Sequence, residues 1–233
     1  SDVCSSDLNP VEELKLEQNG GETKLLDWDA TVKLNLLPLL AKDGHSIHSL
    51  STQLTFADQQ SDNFDYWFRP STSRLAMKND YKGEASRTYS KYRQHSLEWL
   101  GNYAMELKGH RARAMVGYSY QYFQNSGLNA ANKDFSSDGL LYNNLGSGEW
   151  AKEEGRNEMG TNKSDSKLIA FFGRLSYDYK NRYLMTASLR YEGSSRFGDD
   201  NKWGYFPAVS AGWRISEEAF MKDITWIDDL KIR

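Results

Sequence analysis

The stretch LIAFFGRLSYDYKNRYLMTASLRYEGSSRFGDDNKWGYFPAVSAGWRI, residues 168–215, decides the fold of this chain. Apolar and polar side chains alternate along it in three runs, and short polar or glycine-rich turns separate the runs. A period of two residues predicts β-strands with one apolar face and one polar face. In the middle run the apolar face carries Tyr183, Met185, Ala187, Leu189 and Tyr191.

Aromatic side chains stand at both ends of these apolar faces. In the middle run Tyr183 and Tyr191 enclose smaller aliphatic residues, and in the third run Trp203 and Trp213 do the same. Amphipathic rings settle at the two headgroup levels of a bilayer, with hydrocarbon between them. The pattern therefore favours a transmembrane β-barrel over a soluble β-sandwich, which has no reason to place rings at both ends of a strand.

The composition fits such a barrel. Of the 233 residues, 39% are hydrophobic and the mean hydropathy is −0.74, yet 13% are aromatic. Barrel strands show lipid only every second side chain, so they tolerate low hydropathy. No stretch approaches the roughly 18 consecutive apolar residues of a transmembrane helix, which excludes a helical membrane protein. The net charge of −3 and the scattered basic residues argue against nucleic acid as a partner.

Weaker alternation upstream predicts more strands. It is seen at 28–36 and 50–56, and again in a hairpin formed by 97–107 and 112–122. With the three runs of the deciding stretch and the start of another at the C-terminal end, about eight strands are expected. Because short turns permit only up-and-down connections, the predicted fold class is all-β, an antiparallel up-and-down meander that forms part of a larger transmembrane barrel.

The connections differ in length. Short links at 108–110 and 180–182 alternate with long polar ones at 58–94 and 125–167. Outer-membrane barrels have short periplasmic turns and long outer loops, so the long connections are expected to face the cell exterior. A helical turn beginning at Ser216, and capped by that serine, is expected in a periplasmic connection.

The deciding stretch resembles the barrel signature of the SusC/RagA family of TonB-linked outer-membrane proteins. The hairpin GRLSYDYKNRYL, the loop EGSSRFG, the strand WGYFPAVSAGW and the closing SEEAF follow one another in the family's order. Family members more often have Asp at the position of Glu192. The signature residues are Gly173, Arg174, Gly193, Ser194, Ser195, Arg196, Phe197, Gly198, Trp203, Gly204, Phe206, Pro207, Gly212 and Trp213.

The resemblance implies a location in the bacterial outer membrane, in contact with its lipid, and a function in the import of glycans or peptides. It implies a SusD-like surface lipoprotein as a partner. It also implies a TonB complex that acts through an N-terminal part not present here. Residues 9–233 are then a partial barrel domain without plug or remaining strands, and no cofactor is implied. Residues 1–8, SDVCSSDL, resemble a translated adapter sequence and are expected to be a non-native scar.

Four aromatic residues of the long connections are candidates for substrate contact. They are Tyr66, Trp67, Tyr142 and Trp150. Aromatic rings can stack on sugars or on apolar peptide side chains. The alternative is that these rings pack against their own loop or against a partner. On the polar face, Arg174, Arg190 and Arg214 are most simply explained as paired charges of a barrel wall.

Other kinds of site find little support in the sequence. GSSRFG lacks the lysine and the strand-to-helix context of a phosphate-binding loop. His45, His48, His95 and His110 are spread over turns and strands, so no metal site is expected. Nothing pairs a nucleophile with a base, and an enzyme is therefore not expected. The hypothesis from another class is a soluble or surface-attached β-sandwich that binds glycan.

Overall fold

The computed structural model describes residues 10–36, 47–156, 158–198, 201–221 and 226–233. Within these ranges one sheet of eight strands has its strands in chain order, so each is hydrogen-bonded to its sequence neighbours. The strands are β1 (Gln18–Asn35), β2 (Ile47–Arg69), β3 (Glu84–Leu107), β4 (His110–Lys133), β5 (Met159–Tyr179), β6 (Tyr183–Ser194), β7 (Trp203–Arg214) and β8 (Lys231–Ile232). The predicted meander of about eight strands is confirmed.

Helices are short in the part of the chain that the structure describes. None of them has the length and the apolar character needed to cross a membrane. Two are α-helices, α1 (Pro10–Leu16) and α2 (Arg74–Lys78), and α2 is capped by the Ser73 side chain, which accepts a hydrogen bond from the Ala76 amide. Single 3₁₀ turns lie at Asp138–Leu140, Leu145–Ser147, Trp150–Lys152, Ile215–Glu217 and Ala219–Met221.

The register of β5, β6 and β7 gives each face its own chemistry. These strands pair antiparallel, and Ala187 of β6 lies between Leu175 of β5 and Val209 of β7. Residues opposite one another in a sheet point to the same side. Leu175 is 53% exposed and Val209 is 72% exposed, so none of the described residues forms a layer over this apolar face. A β-sandwich would bury such a face beneath a second sheet, and the described residues form a single sheet.

The two short turns are present where alternation predicted them. β3 ends at Leu107 and β4 begins at His110, and the β5–β6 link spans 180–182. Lys108, Lys180 and Asn181 have positive φ values of 47°, 53° and 58°. Tight hairpin turns require this left-handed region, which Asn tolerates well and Lys does not.

The long connections are shorter than predicted. β2 continues to Arg69 and β3 begins at Glu84, so the expected connection at 58–94 is reduced to 70–83. In the same way the expected connection at 125–167 is reduced to 134–158. Polar residues occupy both faces of β2 at 58–63, so the period of two is lost there, although Phe64, Tyr66 and Phe68 alternate again before the strand ends at Arg69. The aromatic residues of the sequence DNFDYWFRP therefore lie on β2 and not in a loop.

Hydrogen bonds join the connection at 70–83 to the connection at 134–158. The backbone amide and hydroxyl of Ser71 donate to the Asp138 carboxylate, at 3.0 Å and 2.7 Å to Oδ2. The Lys82 amide donates to Asp134 Oδ1 at 2.8 Å, and the Phe135 amide donates to the Lys82 carbonyl at 2.7 Å. The connections at 70–83 and 134–158 therefore form one hydrogen-bonded structure.

Two parts of the chain form compact units. One consists of residues up to Asp27 together with Gln59–Arg93 and Gln124–Asp165, and the other consists of Trp28–Asp58, Gln94–Phe123 and Ser166–Arg233. The expected scar at 1–8 and His45 lie outside the described residues.

The segment after β7 differs from its prediction. Ser216 does not cap a helix, because its hydroxyl donates to Asp229 Oδ1 at 3.1 Å and the turn at Ile215–Glu217 has no side-chain cap. Glu218 organises the segment instead. Its carboxylate accepts hydrogen bonds from the Tyr183 hydroxyl at 2.7 Å, Trp213 Nε1 at 3.1 Å and Arg182 Nη1 at 3.2 Å.

These contacts make the stability of this segment depend on pH. The hydrogen bond from Tyr183, and then that from Trp213, lower the pKa of Glu218 below its ordinary value. A carboxylate of this kind stabilises the fold above its unfolded pKa, and the contribution is lost as the pH falls through the lowered value. We expect Glu218→Gln to reduce the loss of stability at acidic pH. The measurement is the urea concentration at the unfolding midpoint, determined as a function of pH. Glu217→Gln is the matched control, and an equal effect from the control would contradict this expectation.

Candidate binding site

Trp67 lies on β2 beside an ion pair. Its indole Nε1 donates to Glu17 Oε2 at 3.2 Å, and the Arg69 guanidinium lies over the ring, 4.6 Å from its centroid. Arg69 also donates to Glu17 Oε1, from Nε at 3.0 Å and from Nη2 at 2.6 Å. Trp67 and Arg69 are two residues apart on a strand and share a face, so Glu17 holds both side chains in place.

The other edge of the Arg69 guanidinium faces β3. Its Nη1 donates to the Tyr81 hydroxyl at 2.9 Å and to Glu84 Oε2 at 3.1 Å, and the Tyr81 hydroxyl donates to the same carboxylate oxygen at 3.0 Å. The side chains of Arg69, Glu17 and Glu84 are only 13%, 15% and 18% exposed. Burial, and then the hydrogen bond to Glu84, raise the pKa of Tyr81, so it remains a neutral donor.

Lys133 of β4 links Glu84 to Glu158 and Trp150. Its ammonium lies 3.3 Å from Glu84 Oε1 and 3.4 Å from Glu158 Oε1. It also lies over the ring of Trp150, 5.3 Å from the centroid, and the Arg156 guanidinium lies 3.9 Å from the same centroid. One connected set of contacts therefore runs from Trp67 to Trp150. We call it the charged network; its members are Glu17, Trp67, Arg69, Tyr81, Glu84, Lys133, Trp150, Arg156 and Glu158.

Tyr66 and Tyr142 belong to a different cluster. Their rings stack with centroids 3.7 Å apart and planes inclined by 16°. Tyr66 precedes Trp67 directly on β2, so it points to the opposite face. Phe68 shares that face with Tyr66 and is buried at 2% exposure, with Tyr142 packed against its cluster. Burial and a hydrogen bond with Tyr66 raise the pKa of Tyr142. This pair fits the alternative expectation, in which loop rings pack on one another.

The four predicted contact residues are thus divided into two pairs. Tyr66 and Tyr142 are in direct contact, whereas Trp67 and Trp150 are linked through charged groups. Alternating acids and bases beside two indole rings offer hydrogen-bond donors, acceptors and apolar surface to a polar ligand. Among the described residues no group of three or more His, Cys, Asp or Glu side chains is placed to hold a metal ion.

The sequence did not single out the charged members of this network. Glu17 and Arg69 are 52 residues apart in the chain, and a single sequence gives no sign that such residues meet. One signal was present for Arg69, which follows Trp67 at the two-residue spacing of a strand face. That spacing is informative only if the strand predicted at 50–56 continues to Arg69.

Several signature residues of the deciding stretch pack or form hydrogen bonds around the β6–β7 loop. Gly193 lies opposite Trp203 in the β6–β7 ladder, and a Cβ atom on Gly193 would overlap the Trp203 ring. The Ser195 hydroxyl accepts a hydrogen bond from the Lys167 amide at 2.8 Å, and Arg196 Nε donates to the Ser166 hydroxyl at 3.1 Å. Their places indicate roles in packing the β6–β7 loop.

The polar face of β5–β7 carries arginines in two situations. Arg190 pairs with Glu192, and Arg214 Nε lies 3.5 Å from Asp229 Oδ1, as expected for a wall of paired charges. Arg174 lies opposite Ser188 in the ladder and has no carboxylate partner among the described residues. The paired-charge explanation therefore covers two of the three arginines.

Comparison with known proteins gives a consistent result. The family model for the TonB dependent receptor-like β-barrel matches residues 10–228. The chain is 42% identical over 127 residues to TonB-dependent receptor P39 of Formosa agariphila, covering 53% of this chain and 12% of that protein. It is 53% identical over 66 residues to TonB-dependent receptor SusC of Bacteroides thetaiotaomicron, covering 28% of this chain and 7% of that protein.

The fold has solved counterparts. The RagAB peptide importer in its closed-closed state superposes with a TM-score of 0.68 at 18% identity, covering 93% of this chain and 22% of that one. A second RagAB peptide transporter structure gives 0.65 at 19% identity, with the same coverage. At such identities the likeness shows the fold alone.

Sequence and fold thus agree on one assignment. The resemblance to SusC/RagA proteins, the partial-barrel fold class and the outer-membrane location are confirmed. The chain spans no more than 15% of the length of the curated relatives that it matches. The chain belongs to the TonB dependent receptor-like β-barrel family.

Proposed function

We propose that this chain forms part of the wall of an outer-membrane importer for glycans or peptides. The importer works with a SusD-like surface lipoprotein, and a TonB complex supplies energy through a part of the protein outside this chain. The chain binds and guides a substrate and carries out no chemical reaction. Its relatives are named as receptors, and strands β5, β6 and β7 have one apolar face and one polar face, which supports a barrel wall.

The charged network is the observation that carries the binding role. Its central ions are 13% to 21% exposed and hold Trp67 and Trp150 in fixed positions. Pre-organised side chains bind more tightly because they lose less conformational freedom when a ligand arrives. The network is therefore suited to contact a polar substrate as it enters the barrel.

Both substrate classes remain part of the proposal. Indole rings beside carboxylates suit the apolar faces and hydroxyl groups of sugars. Guanidinium and carboxylate groups equally suit the charged termini and side chains of peptides. The likeness to the RagAB peptide transporters concerns the fold, so both substrate classes are tested side by side.

The test is ligand binding to the full-length protein that contains this chain, measured by titration calorimetry in detergent. A peptide panel and an oligosaccharide panel identify the class that binds. We expect Trp67→Ala and Trp150→Ala each to weaken that binding by about tenfold, since truncating a central aromatic anchor costs more than about 1 kcal/mol.

Trp226→Ala is the matched control, because Trp226 is 82% exposed and lies outside the network. It should leave the affinity unchanged. The importer proposal fails if neither panel binds to the full-length protein. The site assignment fails if one panel binds and both network variants retain the affinity of the control.

A further inference from the structure

The two short turns of the sheet are joined to each other. The Lys180 amide donates to the Gly109 carbonyl at 2.7 Å, and Arg111 Nη1 donates to Asn181 Oδ1 at 2.7 Å. Gly109 has a φ of 85° and no side chain, and a Cβ there would lie 3.0 Å from Lys180 Cγ. We call residues 108–111 and 180–182 the paired turns, because these contacts make them one surface.

Four lysine and arginine side chains lie on the paired turns, and two of them are already paired with carboxylates. Arg111 Nε lies 3.3 Å from Glu106 Oε1, and Arg182 Nη1 lies 3.2 Å from Glu218 Oε2. Lys108 and Lys180 are exposed and have no carboxylate partner among the residues that the structure describes.

The side chains next to Lys180 do not neutralise its charge. The Lys180 ammonium lies over the ring of Tyr179, 5.2 Å from the centroid. The nearby acid Asp178 accepts a hydrogen bond from the Asn181 amide at 2.8 Å. The paired turns therefore present two exposed ammonium groups that no carboxylate of the described residues neutralises.

Aromatic residues place the paired turns at a membrane surface. The Tyr177 hydroxyl shares a hydrogen bond of 2.7 Å with His110 Nδ1, while its ring is 38% exposed on the apolar face. Tyr183 directly follows the second turn and is 47% exposed on the same side. Tyrosine rings in barrels mark the level of the lipid headgroups. The paired turns adjoin these rings along the chain, so we expect them at the level of the lipid phosphates.

We propose that the paired turns bind the phosphate of an anionic phospholipid, with Lys108 and Lys180 as the cations that contact it. A headgroup of the phosphatidylglycerol type carries a net negative charge, whereas phosphatidylethanolamine carries its own ammonium and offers less to two lysines. Charge complementarity therefore selects the anionic lipid. The site depends on the outer-membrane location of the protein and not on what the barrel imports.

The test measures lipid retained by the full-length protein. The protein is purified from mixed micelles of equimolar phosphatidylglycerol and phosphatidylethanolamine, and bound lipids are identified by native mass spectrometry. We expect the wild type to retain more phosphatidylglycerol than phosphatidylethanolamine. Lys108→Asn with Lys180→Asn should lower the ratio by up to roughly fivefold for each lysine. Asn tolerates positive φ, so the turns are preserved.

Three comparisons make the result decisive. Lys78→Asn with Lys163→Asn removes two exposed lysines of the other compact unit and should leave the ratio unchanged. Lys108→Arg with Lys180→Arg should keep the preference. Millimolar inorganic phosphate should not displace the lipid. The proposal is overturned if the wild type shows no preference, if the control pair lowers the ratio as much as the turn pair, or if phosphate releases the lipid.

Discussion

Ala187→Arg is expected to destabilise the barrel by roughly 2 to 4 kcal/mol, whereas Ser188→Arg should cost much less. Ala187 lies between Leu175 and Val209, two apolar side chains that are more than half exposed. In an outer-membrane protein that face meets hydrocarbon, where a guanidinium cannot be solvated. Ser188 lies opposite Arg174, on the polar face.

The order of the two effects is the measurable quantity. The free energy of unfolding of the full-length protein is determined in lipid vesicles for both variants. Leu184→Arg serves as a second polar-face control, because Leu184 lies on the side of Ser188 and pairs with Asp178 and Gly212. Equal losses at Ala187 and Ser188, or a larger loss at Ser188, would mean that the apolar face of β6 does not meet lipid.

Strands with two different faces were the predictable part of this fold. The run from Tyr183 to Tyr191 lies within β6 (Tyr183–Ser194), and the turn at 180–182 is where the pattern placed it. Successive side chains of this strand face apolar and polar surroundings in turn, so apolar and polar residues alternate in the sequence. The register of β5 and β6 then follows from the short turn.

Where both faces of a strand are polar, alternation carries no information. The polar residues on both faces at 58–63 interrupt the pattern and predict a loop from residue 58, although β2 extends to Arg69. The sequence predicts the aromatic residues of the candidate site but not its charged residues. Trp67 and Trp150 are candidates from the sequence because large rings are conspicuous in any sequence. Arg69 and Glu84 looked like ordinary loop charges, since only the paired backbone brings their partners together.

Arg69→Met is expected to cost about 2 to 4 kcal/mol of local stability. Methionine keeps an apolar stem of similar length but removes all the hydrogen bonds from the guanidinium to Glu17 and Glu84. Removing one partner of a buried ion pair costs about 3 to 5 kcal/mol, because the remaining charge stays buried without compensation. The side chains here are 13% to 18% exposed, so water relieves part of that cost.

Lys91→Met is the matched comparison for Arg69→Met. The Lys91 ammonium lies 3.5 Å from Asp62 Oδ2, but the two side chains are 45% and 42% exposed. Such a surface pair contributes about 0 to 1 kcal/mol. Opening free energies from amide hydrogen exchange in β1 and β2 separate the two cases, since Arg69 is bound to Glu17 just before β1. If both variants open these strands equally, burial does not strengthen the charged network, and its ions act as an ordinary solvated surface. Protection lost only with Arg69→Met would identify the guanidinium as the group that holds the first strands together.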